Sequence, residues 1–228
     1  MLAWLAHLYT ASGAVIAMLA VAMAIAHNFR AAFLYLVATV IVDATDGWLA
    51  RAVRVKERLP HVDGALLDNI VDYLTYVFVP AVIVWQANLV PSAFPICAAM
   101  LVSSVYGFSR TDAKGDGENP YFLGFPSYWN IVAAYLYLLQ LPRAVNAAVL
   151  AGLAILVFVP IRYVYPSRMR TLQRPTIVVG TMWGVLFAWM LWRLPAVDGP
   201  WTIVSLIFPA YYVALSLWLQ SGGRTGKV

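Results

Sequence analysis

Long, almost unbroken apolar stretches recur from one end of this 228-residue chain to the other, and they restrict its fold more than any other feature. A helix of about 20 apolar residues crosses a bilayer, and lipid leaves every backbone polar group to be satisfied within the protein. Eight such segments are expected: His7–His27, Ala31–Arg51, Ala65–Asn88, Phe94–Ser109, Pro126–Leu141, Asn146–Arg162, Thr176–Trp192 and Trp201–Gln220. Only 11% of residues are charged, against about 25% in soluble domains. The chain therefore reads as one all-α, polytopic membrane domain over residues 1–228, with no second domain. The first segment ends in AMAIA, which is similar to a signal-peptidase site. Its start carries no Lys or Arg, and Thr10, Ser12 and Gly13 interrupt the apolar run, so a retained first helix is expected.

The segments divide the charge unevenly. Of the 15 Lys and Arg residues, 12 fall in loops and tails on one side, among them Arg51, Arg54, Lys56, Arg58, Arg110, Arg162, Arg168 and Arg170. Cytoplasmic loops collect Lys and Arg, so that side is expected to face the cytoplasm, with both termini. The net charge of +5 follows from those loops and does not call for a nucleic acid. Cys97 is the only cysteine, which rules out an intrachain disulfide. No internal repeat is visible, which argues against a transporter built from inverted halves.

Against this background, Val42–Val77 holds six of the ten acidic residues: Asp43, Asp46, Glu57, Asp63, Asp68 and Asp72. At about 100° per residue, Asp46, Gly47, Ala50 and Arg51 lie within about 80° of Asp43 on one helix face. Gly64, Asp72 and Thr75 lie within about 40° of Asp68 on the next helix. The two helices are joined by a loop on the basic side, so Asp43, Asp46, Asp68 and Asp72 are expected to converge there. Four like charges protonate or need cations. Hard divalent cations with oxygen ligands, Mg²⁺ or Mn²⁺, suit them best, with phosphate oxygens completing the shell. The small residues beside the acids leave room for a bulky ligand. A cation or proton transporter would use buried carboxylates too, but these four gather toward one membrane face.

The pattern Asp43-x2-Asp46-Gly47-x2-Ala50-Arg51-x12-Gly64-x3-Asp68-x3-Asp72 closely resembles the signature of the CDP-alcohol phosphotransferase family. The resemblance implies a nucleotide-linked phosphatidyl donor, two divalent metal ions held by the four aspartates, and attack by an alcohol. It assigns Asp72 a second duty as general base. Because a normal Asp is a poor base for an alcohol, metal attraction for the alkoxide or late proton transfer must help. No covalent nucleophile stands in the motif, so direct in-line transfer is expected. Gly47, Ala50 and Gly64 are expected to line the donor pocket. Arg51 is either a phosphate contact or a helix-end arginine reaching to the interface. Thr10 either touches the nucleotide or serves helix packing.

The twelve-residue gap Ala52–Asp63 is longer than in most members of that family. The gap, and the stretches LYTASG, VRVKERLPHVDG, LLDNIVDYLTYV, YFLGFPSYWN and VPIRYVYPSRMRTL, are similar to a bacterial branch that joins free choline to CDP-diacylglycerol. That resemblance implies these two substrates, CMP as leaving group and a bacterial inner-membrane location; it leaves a homodimer open. Within the family, serine, glycerol 3-phosphate or inositol are the alternative acceptors. A quaternary ammonium has no N–H to donate, so its site needs aromatic faces, with or without a carboxylate. Tyr121, Tyr128 and Trp129, in a run of aromatics beside Glu118, are the candidate cage, with Tyr73 and Tyr76 as rivals. An interfacial aromatic belt would produce the same enrichment. Arg162, Arg168 and Arg170 suit either a lipid phosphate or the positive-inside bias.

Overall fold

The computed structural model describes residues 1–115, 120–166, 168–196 and 199–222. Its first two helices, α1 (Leu2–Ile25) and α2 (Phe29–Ala52), form an antiparallel pair across a tight turn at His27. Asn28 caps α2 by accepting from the Ala31 amide at 3.1 Å. The buried face of α1 is built from small residues: Ala3, Ala6, Gly13, Ala17, Ala20 and Ala24. In lipid, where apolar burial drives little, small residues gain contact by letting backbones approach. Gly13 shows how close that approach is, since a Cβ there would lie 2.6 Å from Val71 Cγ1.

The long loop after α2 is folded. The short helix α3 (Val55–Arg58) and Leu59 set Val55 and Leu59 against Ala3 and Ala6 of α1. Asp63 then caps α4 (Gly64–Asp72), its Oδ1 accepting from the amides of Ala65 and Leu66. A capping carboxylate of this kind satisfies amides that the first turn leaves open. A π-helical segment, Tyr73–Phe78, follows without a break and leads into α5 (Val79–Gln86). Pro80 accounts for it: proline has no N–H for the carbonyl four residues back, and its ring crowds that carbonyl. Within this stretch the Thr75 hydroxyl donates to the Val71 carbonyl at 3.1 Å.

Next come α6 (Ala93–Ser109), α7 (Trp129–Leu139), α8 (Arg143–Leu156), α9 (Gln173–Arg193), α10 (Gly199–Ser205) and α11 (Ile207–Gly222). Five helical segments are long and apolar enough to cross a membrane: α1, α2, the continuous Gly64–Gln86 stretch, α9, and Gly199–Ser221. Three of the eight expected spans correspond to the shorter apolar helices α6, α7 and α8. With 17 residues, α6 reaches about 26 Å at about 1.5 Å per residue. That falls short of the hydrocarbon thickness of about 30 Å, and α7 and α8 fall further short. The architecture is an all-α integral membrane protein, its large apolar side chains exposed around the outside. Side-chain hydrogen bonds join the helices inside, as where Trp183 Nε1 donates to the Tyr135 hydroxyl and that hydroxyl donates to Ser205 Oγ, both at 2.9 Å.

Two stretches that read as loops instead supply a small antiparallel sheet in the order β1 (Lys114–Gly115), β2 (Tyr121–Leu123) and β3 (Arg162–Val164). Phe122 stands opposite Tyr163, and Leu123 opposite Arg162. Gly124 fastens this sheet to the end of α8. Its φ is +84°, its amide donates to the Ile161 carbonyl at 2.8 Å, and a Cβ would run into the Val157 carbonyl oxygen. Gly124→Ala is therefore expected to lower stability by at least about 1–3 kcal/mol, the cost of a left-handed non-glycine residue. Thermal unfolding of the detergent-solubilised variant checks this, and an unchanged midpoint would refute it.

Candidate active site

Asp43 on α2 and Asp68 and Asp72 on α4 bring their carboxylates together, with one oxygen from each lying within 4.8 Å of the others. The cause is local. Asp68 and Asp72 are one helical turn apart, and the α2–α4 connection returns the chain beside Asp43. Three carboxylates at this spacing repel unless protonated or neutralised by a cation. A cluster of hard oxygen donors without sulfur or imidazole fits Mg²⁺ or Mn²⁺. Asp46, one turn along α2 from Asp43, is buried at 8% exposure and stands outside this cluster. The other acids in that stretch have other positions: Asp63 is a helix cap, and Glu57 is an exposed neighbour of Arg54.

The cluster opens into a cavity of about 410 Å³. Asp43, Asp68, Asp72 and Asn69 form one wall, and much of the rest is aromatic: Tyr76, Phe108, Phe122, Phe125, Tyr128 and Tyr165. The Tyr76 hydroxyl donates to Asp43 Oδ2 at 2.6 Å, and its ring centroid is 6.1 Å from that of Tyr128. Phe122 and Tyr165 pack with centroids 4.5 Å apart, and the Arg168 guanidinium lies 5.1 Å from the Tyr165 ring. Arg110 also lines the cavity, held by Asp112 through two hydrogen bonds of 2.7 and 2.6 Å. Those bonds hold the exposed Asp112 carboxyl below the usual carboxylate range.

The expected donor-site residues lie beside this cavity, among α1, α2 and α4, and are not part of its lining. Arg51 is exposed, and its Nη1 lies 3.3 Å from where a Gly47 Cβ would be. A Cβ on Gly64 would meet the His7 ring at 3.3 Å. Ala50 packs on the small apolar cluster of Ala3, Ala6, Val55 and Leu59. Thr10 is buried, and its hydroxyl turns back to the Ala6 carbonyl at 3.5 Å.

The expected cage is redistributed. Tyr128 lines the cavity. Trp129 is fully buried in the core, its Nε1 donating to Ser104 Oγ at 2.7 Å. Tyr121 lies under the Arg162 guanidinium, 4.7 Å away. Tyr73 donates to the Leu101 carbonyl and meets Phe108 edge-on. Glu118 lies outside the described residues. On β2 it is Phe122 and Leu123, not Tyr121, that line the cavity. Tyr165, distant in sequence and set among arginines, offered no sequence signal.

The family model for CDP-alcohol phosphatidyltransferase matches residues 3–161, most of the chain and all three clustered acids. The chain belongs to the CDP-alcohol phosphatidyltransferase family. It is similar over nearly its whole length to proteins named phosphatidylcholine synthase. The one from Pseudomonas aeruginosa is 38% identical, with 95% of this chain and 91% of the relative covered. The one from Legionella pneumophila is 36% identical, covering 95% and 88%. The one from Borreliella burgdorferi is 33% identical, covering 96% and 94%. CDP-alcohol phosphatidyltransferases are transferases that depend on divalent metal ions, so this chain is an enzyme and the transporter reading falls. In this CDP-alcohol phosphatidyltransferase the Asp43, Asp68 and Asp72 carboxylates are placed to hold such an ion.

Proposed function

We propose that this enzyme transfers the phosphatidyl group of CDP-diacylglycerol to the hydroxyl of free choline, giving phosphatidylcholine and CMP. The observation that carries the reading is the cavity itself, where a carboxylate cluster and aromatic walls face one space. A fixed cation without N–H donors is recognised by aromatic faces and negative charge. Glycerol 3-phosphate would instead call for a cationic side chain free to bind its phosphate. Among the described lining residues the cationic one is Arg110, already engaged by Asp112. The full-length relatives named phosphatidylcholine synthase support the same acceptor.

In this reading Asp43, Asp68 and Asp72 hold the divalent ions, and Asp46 joins them through its place in the motif. Mg²⁺ or Mn²⁺ bound there supplies neutralisation of the donor diphosphate and of the charge that develops on departing CMP. Phe122 and Tyr128 face the ammonium group and bring the choline hydroxyl toward the acids. The hydroxyl oxygen attacks the phosphorus bearing the diacylglycerol ester. That P–O bond forms as the P–O bond to CMP breaks, and the hydroxyl proton passes to Asp72. Gly47, Ala50, Arg51, Gly64 and Thr10 form the nucleotide side, behind the acids. In this reading the site faces the cytoplasm from a bacterial inner membrane, which the excess of Lys and Arg in the loops on that side supports.

The direct test supplies purified enzyme, CDP-diacylglycerol and Mn²⁺ with radiolabelled choline, serine, glycerol 3-phosphate or inositol in turn. Labelled lipid is expected with choline, with CMP released one for one. Preferential labelling by another acceptor would overturn the assignment.

A further inference from the structure

We propose that Tyr76 is a positioning residue that sets the Asp43 carboxylate for metal binding. The inference rests on reading the acid cluster as the metal site. Asp68 and Asp72 are placed relative to each other by one helix, but Asp43 comes from another. α2 and α4 each pack on α1, so the third ligand is only as well placed as those two separate contacts allow. Tyr76 ties the two sides together directly. It is carried one turn beyond Asp72 on the same continuous helix, and its hydroxyl donates to Asp43 Oδ2 at 2.6 Å.

A hydrogen bond to one carboxylate oxygen fixes the plane of the group, which α2 alone leaves free to rotate about its side-chain torsions. Groups that hydrogen-bond a metal ligand typically govern affinity by 10–100-fold. The position of Tyr76 is itself determined. It lies in the π segment forced by Pro80, where the side-chain directions differ from those of an uninterrupted α-helix. Its ring is half-buried against Tyr128 on the cavity wall. The residue thus touches the acid cluster through its oxygen and the aromatic wall through its ring. Removing the oxygen alone separates the two contacts.

The experiment measures Mn²⁺ binding to the detergent-purified full chain by calorimetry, without substrate, for wild type, Tyr76→Phe and Asp43→Asn. Tyr76→Phe is expected to weaken Mn²⁺ binding by about ten-fold or more. At saturating Mn²⁺ its choline KM should stay within about two-fold of wild type, because the ring remains. Asp43→Asn should weaken binding at least as much. Wild-type Mn²⁺ affinity in Tyr76→Phe, with binding lost in Asp43→Asn, would overturn the role of Tyr76 and leave the metal site standing. Wild-type affinity in both would overturn the metal site and the inference with it. A metal-free unfolding midpoint in Tyr76→Phe lower by more than about 5 °C would mark a merely structural role and also defeat the proposal.

Discussion

Asp72→Asn is expected to lower the rate of phosphatidyl transfer by about 100-fold or more, the usual contribution of a positioned general base. Asn keeps the shape of the side chain but cannot take the proton, and it is a weaker ligand for a hard cation. Asp43→Asn and Asp68→Asn should fall by a similar factor through loss of metal affinity, and Asp46→Asn is included by its place in the motif. Each variant should still insert and resist aggregation in detergent, because Asn matches Asp in size and removes a charge from an apolar chain. Chelation by EDTA should abolish activity, and added Mn²⁺ or Mg²⁺ should restore it. Initial rates at saturating choline and donor are the measurement. Substantial activity in any two of the clustered variants, or indifference to chelation, would defeat this account.

Loss of one cage ring should act on the acceptor alone. Phe122→Ala and Tyr128→Ala are each expected to raise the choline KM by roughly ten-fold. A cation over a desolvated ring gains about 2 kcal/mol, and about 1.4 kcal/mol is a factor of ten. Tyr165 is the weaker candidate, since Phe122 and the Arg168 guanidinium already pack on its ring. The donor KM should move little, because in the proposed arrangement the nucleotide lies on the other side of the acids. Trp129→Phe gives the contrast. It removes the bond to Ser104 Oγ within the core and should lower the unfolding midpoint while leaving the choline KM near wild type. Steady-state kinetics with choline and donor varied separately decide the matter. A choline KM unaffected in both ring variants would place the acceptor elsewhere.

How much of this was legible in advance depended on the range of the interaction concerned. The acid cluster was readable because it depends mainly on helical spacing. Asp68 and Asp72 are a turn apart on any α-helix, and the small residues beside Asp43 mark the face they share. Asp46 shows the limit of that reasoning. A helical projection puts it on the same broad face as Asp43, but about 60° to one side, against about 40° between Asp68 and Asp72, and it is buried outside the cluster.

The amino-acid sequence by itself determined the membrane class, the apolar helices and the family motif, because each depends on composition or on periodicity within one segment. Only the tertiary structure decided which aromatics face the cavity. Phe122 is turned inward by a β2–β3 pairing between strands some 40 residues apart, and Tyr165 follows β3 into place. The same holds for the hydrogen bond from Tyr76 to Asp43, which spans 33 residues and two helices. Apolar periodicity cannot say which buried polar groups will meet across a helix contact. That is set by the small-residue face of α1, by the π turn before Pro80 and by the close crossing at Gly13, which together fix how the helices sit against one another.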